Sequence, residues 1–173
     1  MTLFTIGHGT LDEATFVARL EAAGVQRVVD VRRFPGSRRW PWFNAAAMEE
    51  WLPEHGLAYV PAPELGGRRT PRPDSRNVGL REAGFRGYAD FMETEPFRVA
   101  FDVLLAGASE APTAVMCSET LWWRCHRRLI ADAAILLGGA EVIHLIGAAR
   151  QPHRVTAGVR RTGDALVYDA QDG

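Results

Sequence analysis

Cys117, Ser118 and Glu119 follow the apolar run Ala114-Val115-Met116, which has the length of a buried strand. The spacing predicts that the strand ends there and that a helix starts almost at once. A thiol at a strand's carboxyl end, facing free N–H groups of a helix, has its thiolate stabilised. Cys117 is therefore a candidate nucleophile or direct substrate contact. Glu119, two residues on, supplies a carboxylate for proton transfer or for holding a polar substrate. The same stretch also fits a half-buried cysteine beside an ordinary acid in a first helical turn.

The helix expected from there has two apolar rows. Leu121, Cys125, Leu129 and Leu136 lie along one, and Trp122, His126, Ile130, Ala133 and Leu137 along the next. On that reading Cys125 is a small hydrophobe in a packed stripe, and Cys117 is the more reactive thiol. His126 needs a buried partner on that face, which a thiol or acid at the head of the helix would provide. It joins the catalytic candidates.

A second cluster lies near the start. The run Leu3-Phe4-Thr5-Ile6 reads as a strand ended by Gly7-His8-Gly9, a turn that lets backbone approach a ligand closely. His8, a loop histidine at a strand end, is a catalytic candidate, and Gly7 a binding one. Asp30 and Arg32 face one side of a second strand over residues 25–31, so they pair with each other or share a substrate. The segment 33–43 is too rich in Pro, Gly and Arg to be regular, and its aromatics suit either base stacking or a small satellite core.

All 20 basic residues are arginines. This excludes a Schiff-base or phosphate-loop lysine. Five arginines fall between positions 27 and 39 and six between 68 and 86, in predicted loops where forked guanidinium groups could capture phosphate or carboxylate. Net charge is −1, so the chain as a whole does not attract nucleic acid.

Thr10 and Glu13 suggest a capping box for a helix to about residue 23, and Asn44 an N-cap for one ending near Trp51 before Pro53. A third strand is expected at 57–60, helices at 84–94 and from Glu95, and a fifth strand at 141–146. The long irregular stretch 61–84 is expected to fold over the pocket as a lid. The tail, from Arg154 to Arg160 and from Ala165 to Tyr168 around Gly163-Asp164, reads as a hairpin. Alternating strands and helices predict a single α/β domain with a mostly parallel central sheet, helices on both faces and a C-terminal β-hairpin. No run reaches membrane-span length and no leader is visible, so a cytoplasmic protein is expected.

Several motifs together resemble the domain-of-unknown-function family 488 over nearly the full chain. They are Thr5-Ile-Gly-His-Gly9, Val29-Asp-Val-Arg32, Pro35-Gly-Ser37, Leu65-Gly-Gly67, Gly84-Phe85 with Tyr88, and Cys117-Ser-Glu119 with Cys125-His-Arg127. The resemblance implies a site that adds Pro35, Ser37, Gly66, Gly67, Tyr88 and Arg127 to the binding candidates, and no particular reaction. Gly9 stands where the family usually has serine. A looser likeness to the rhodanese plan rests on Asp30-Val-Arg32 and the strand-end cysteine, although Leu121-Trp-Trp123 replaces the short Gly/Ser-rich loop of such proteins. Arg124 comes one residue later than in the Cys-x5-Arg loop of cysteine phosphatases.

Three functions follow as expectations. The first is an enzyme, hydrolase or transferase, acting on a small anionic or nucleotide-like molecule through Cys117 and Glu119. The second is a nucleic-acid-associated protein that binds or acts on bases, and the third a non-catalytic ligand-binding or sensor module. No cofactor is expected. Cys117, Glu119, Cys125 and His126 are metal-ligand types, but their spacing is not a standard zinc pattern. Oligomeric state is not legible.

Overall fold

A computed structural model describes residues 1–170 of the chain. The opening unit is β1 (Thr2–Gly7), α1 (Glu13–Ala22) and β2 (Arg27–Asp30), followed by α2 (Ala45–Glu54) and β3 (Ala58–Pro61). The second half holds α3 (Ala83–Met92), α4 (Glu95–Glu110), β4 (Thr113–Cys117), α5 (Arg127–Leu136) and β5 (Glu141–Ile146). Three short strands complete the order: β6 (Ala149–Pro152) beside β5, then the hairpin β7 (Arg160–Thr162) and β8 (Ala165–Val167).

The main sheet runs β3-β2-β4-β1-β5-β6, and its first five strands are parallel. β4 lies between β1 and β2, so Gly7 is in register with Cys117, and Asp30 with Met116. Each central strand is apolar along its length because it is covered twice. Phe16, Leu20, Met48 and Leu52 of α1 and α2 form one core layer with Ile6, Val28 and Met116. Tyr88, Phe97, Phe101, Leu104, Leu129 and Ile130 of α3, α4 and α5 form the other, against Leu3, Val29 and Val115. Among the described residues no helix is long and apolar enough to cross a membrane.

Local details depart from the sequence reading. α1 is capped by Asp12, whose side chain accepts from Thr15 N at 2.7 Å, rather than by a Thr10–Glu13 box. Pro53 sits inside α2 instead of stopping it. The tail strand expected from Arg154 is only Arg160–Thr162, and β6 pairs antiparallel with β5 without having been foreseen. The largest departure follows Cys117. No helix starts there: residues 118–126 form a loop with one short turn, Trp122–Arg124, and α5 begins only at Arg127.

Candidate functional site

A cavity of about 660 Å³ opens where β1, β2 and β4 end. That is the usual ligand position in an open parallel sheet. The buried side chains that line it are His8, Arg32, Cys117 and Cys125, with half-buried His126 beside them. Arg33, Phe34, Trp40, Arg68, Phe85 and Arg124 form its outer walls.

The late start of α5 moves Cys125 from a helix face to a helix head. His126 occupies the N-cap position, and the backbone N–H of Arg127 reaches Cys125 Sγ at 3.5 Å. Cys117 Sγ lies 2.7 Å from Cys125 Sγ, so the two thiols share one hydrogen-bonding position. Their electrostatics diverge. Burial raises Cys117 well above an ordinary thiol, and a thiolate at Cys125 would raise it further. Burial opposes ionisation of Cys125 as well, but the Cys117 S–H, His126 and Arg127 outweigh it and bring Cys125 well below the ordinary range. These directions run opposite to the expected ranking of the two cysteines. The helix field invoked for Cys117 acts instead on Cys125.

His126 has the orientation of a base. Its Nε2 is 2.9 Å from the carbonyl oxygen of Val31, which can only accept, so Nε2 carries a hydrogen and Nδ1 faces Cys125 Sγ at 3.5 Å. Gly67 closes the other side of the ring. A Cβ there would stand 2.9 Å from His126 Nδ1.

Under the thiols lies Arg127, 1% exposed. It donates to the Glu119 carbonyl at 2.5 Å and to Thr5 Oγ1 at 3.0 Å. Its Nε is the one buried side-chain polar atom without a partner among the described residues. Burial works against its charge, and Cys117 and Cys125 reverse that and raise its pKa. A buried guanidinium needs an anion. The thiol pair supplies one if it holds a single proton between its two sulfurs. Gly7 makes the arrangement possible, because any Cβ there would strike the Glu119 carbonyl and the Arg127 guanidinium.

Asp30 and Arg32 form a closed clamp. Arg32 Nε and Nη2 donate to the two Asp30 oxygens at 2.9 and 2.7 Å, and Tyr59 donates to Asp30 at 2.5 Å. Burial and then Asp30 raise Tyr59 well above an ordinary phenol. Arg32 Nη1 also reaches His8 Nε2 at 3.3 Å, while His8 Nδ1 is 2.9 Å from the Gly9 carbonyl. Both ring nitrogens are occupied, and the ring stacks on Phe43 with centroids 4.3 Å apart. Burial, more than neighbouring Arg32, lowers His8 to about 4. His8 is thus a neutral wall of the site.

Of the residues expected at the site, His8, Arg32, Ser37, Gly67, Cys117, Glu119 and His126 line the cavity. Asp30, Gly7, Gly66, Tyr88 and Arg127 are buried behind it. Tyr88 donates to the Leu65 carbonyl at 2.8 Å and so holds the Gly66–Gly67 turn from behind. The Pro35 carbonyl accepts from Ala45 N, fixing the loop to α2. Glu119 is exposed, its Oε1 accepting from Leu121 N at 3.1 Å. The stretch expected as a lid is fastened down: Asp90 on α3 accepts from Arg72 N, Ser75 Oγ and Asn77 Nδ2 at 2.6–2.8 Å, and only its Gly67–Arg68 and Glu82–Gly84 parts reach the cavity. The sequence reading missed Cys125 as a site residue. Its adjacency to His126 was the available signal.

The fold and site define an α/β protein with a paired-thiol and histidine centre at the carboxyl edge of its sheet. The chain belongs to the DUF488 family, described as a domain of unknown function, whose model matches residues 13–134. No curated protein and no solved structure matches the chain.

Proposed function

We propose that the protein is an enzyme in which Cys125 attacks a small anionic or nucleotide-like substrate, as a hydrolase or transferase. The observation that carries this reading is the packing of Cys125 against Cys117, His126 and Arg127 at the cavity floor. A nucleophile, a base held by a backbone carbonyl and a buried cation that favours the thiolate are the parts of thiol catalysis. In this scheme Cys125 gives its proton to His126 Nδ1, and the Cys117 S–H hydrogen-bonds to the thiolate that remains. As the Cys125–substrate bond forms and the bond to the leaving group breaks, His126 passes that proton to the leaving group. Arg33, Arg68 and Arg124 provide cationic walls for phosphate or carboxylate, and Glu119 stands at the rim for a polar substituent.

The test is to expose the protein to activated carboxylate and phosphate esters, nucleoside 5′-phosphate esters among them, and to look for covalent adducts by intact mass. An adduct on Cys125 that disappears in Cys125→Ser supports the reading. Turnover that survives Cys125→Ser rejects it.

One observation favours a second reading, a nucleic-acid-associated protein. Phe34 is 64% exposed at the cavity mouth, with the Arg33 and Arg68 guanidinium carbons 5.5 and 5.9 Å from its ring centre. An exposed ring between cations suits a stacked base and its phosphates. Binding of single-stranded DNA or RNA that weakens steeply with salt and is lost in Phe34→Ala supports this reading.

A further inference from the structure

Behind the thiols, a line of buried side chains leaves α5 at Arg127 and returns to it at Asp132. Arg127 Nη1 donates to Thr5 Oγ1 on β1 at 3.0 Å, and Thr5 Oγ1 lies 2.6 Å from His144 Nδ1 on β5. His144 Nε2 is 2.9 Å from His153 Nδ1, and His153 Nε2 is 2.7 Å from Asp132 Oδ1. All five side chains are buried. Trp122 seals the line by stacking on His144, centroids 4.3 Å apart and planes 5° from parallel.

The two ends set the direction of every bond between them. A guanidinium only donates, and a carboxylate only accepts. Asp132 also accepts from Thr156 N at 3.0 Å and from the Tyr168 hydroxyl at 2.9 Å, so it is a pure acceptor here. His153 therefore carries its hydrogen on Nε2, and its Nδ1 accepts from His144 Nε2–H. His144 Nδ1 in turn accepts from the Thr5 hydroxyl, whose oxygen takes the Arg127 hydrogen. On this assignment each imidazole carries a hydrogen on Nε2 and accepts at Nδ1. Burial, with Arg127 adding to it, lowers His144 to about 3, in keeping with a neutral His144. A reversed line needs a further proton on His153 and leaves Thr5 with two donors and no acceptor among these partners.

We propose that Thr5, His144, His153 and Asp132 are positioning residues for the thiol pair: their one-way line of hydrogen bonds holds the Arg127 guanidinium beneath Cys117 and Cys125 and so sustains the thiolate. The proposal rests on the reading of Cys125 as the nucleophile. It explains why four polar side chains are buried where no substrate reaches. The charged or titratable groups facing Cys125 are Cys117 from β4, Tyr88 from α3, and His126 and Arg127 from the head of α5. Only Arg127 is tied to the line.

The experiment is the pH profile of iodoacetamide alkylation at Cys125, read by mass spectrometry in the intact dithiol protein. His144→Phe keeps the stacking on Trp122 and cuts the line; Thr5→Val is nearly isosteric and cuts it one step nearer the site. Val142→Ala, a core truncation on β5 outside the line, is the control for lost stability. The expected result is a profile moved up by about one pH unit in the two line variants, which is tenfold slower alkylation on the acid limb of the profile, and an unmoved profile in Val142→Ala. Line variants that lose thermal stability as the control does, with the profile in place, overturn the proposal. Nitrogen-15 spectra supply a measurement that needs no variant: His144 seen as an Nδ1–H tautomer or as imidazolium at neutral pH also overturns it. If the profile moves while turnover survives Cys125→Ser, the line stands and the nucleophile reading falls.

Discussion

Cys117 Sγ and Cys125 Sγ lie 2.7 Å apart, inside ordinary van der Waals contact and beyond a covalent bond. On the proposed reading Cys117 donates the hydrogen between them to a Cys125 thiolate, the partner that His126 and Arg127 favour. Replacing Cys117 with alanine removes that donor. The pH profile of Cys125 alkylation is expected to move up by about one unit, tenfold slower on its acid limb, and Cys117→Ser, which keeps a hydroxyl donor, to recover part of the loss. Equal rates in all three proteins would show that the sulfurs do not share a proton.

Gly67 and Gly84 make a matched pair. A methyl group at Gly67 must displace the His126 ring, so Gly67→Ala is expected to cost roughly 1–2 kcal/mol and to slow Cys125 alkylation. At Gly84, in the first turn of α3, a Cβ meets nothing within 4 Å. Gly84→Ala is expected to stabilise by about 0.4–1 kcal/mol and to leave the thiol alone. Urea unfolding with parallel alkylation assays separates the two effects, and destabilisation by Gly84→Ala would show that the space around it is misjudged.

His8 links stability to pH. Its folded pKa of about 4 lies below the ordinary 6.5, so the unfolded chain binds the proton more readily. Stability from this group is complete above about pH 6.5 and is lost as pH falls toward 4. His144, lowered to about 3, adds to the loss over the same range and below it. His8→Gln should flatten the decline of the urea midpoint between pH 7 and 4.5. A variant that declines as steeply as the parent would place the acid sensitivity elsewhere.

Asp90 is expected to control the order of the 61–84 stretch. Asp90→Ala strips acceptors from Arg72 N, Ser75 and Asn77, with a cost on the order of 2–3 kcal/mol. Trypsin should then cut after Arg76 in the otherwise folded protein, whereas Arg72 is protected by the following Pro73. Continued resistance there would mean that packing of Leu65 and Leu80 is enough to fix the segment.

The sheet was readable because β1, β4 and β5 are apolar runs bounded by glycine or charge, and the strand ends brought His8, Arg32, Cys117 and Glu119 to one edge. β6 was not, because Ala149–Pro152 is exposed throughout and lacks an apolar face. Residues 118–126 misled for a different reason. Their apolar spacing suits a helix, yet the Ser118 carbonyl is taken by Gly9 N–H and the Glu119 carbonyl by Arg127. The first tether comes from the far end of the chain, and the second from beyond the loop itself. Cys125 looked like packing only because α5 was expected eight residues too early, and its partners followed from that error.

The insertion of β4 between β1 and β2 sets the order in which the protein can mature. Gly7 pairs in register with Cys117, and Thr5 with His144, so the first strand has no lasting neighbour until the ribosome has delivered the second half of the chain. Closing loops of that length is slow. From their own emergence until β1 pairs with β4, Cys117 and Cys125 lack Gly7, Thr5 and the overlying turn as shields, and an oxidant or electrophile meets them as ordinary cysteines. The vulnerable period for the thiols is therefore synthesis, and it ends when the first strand slides home.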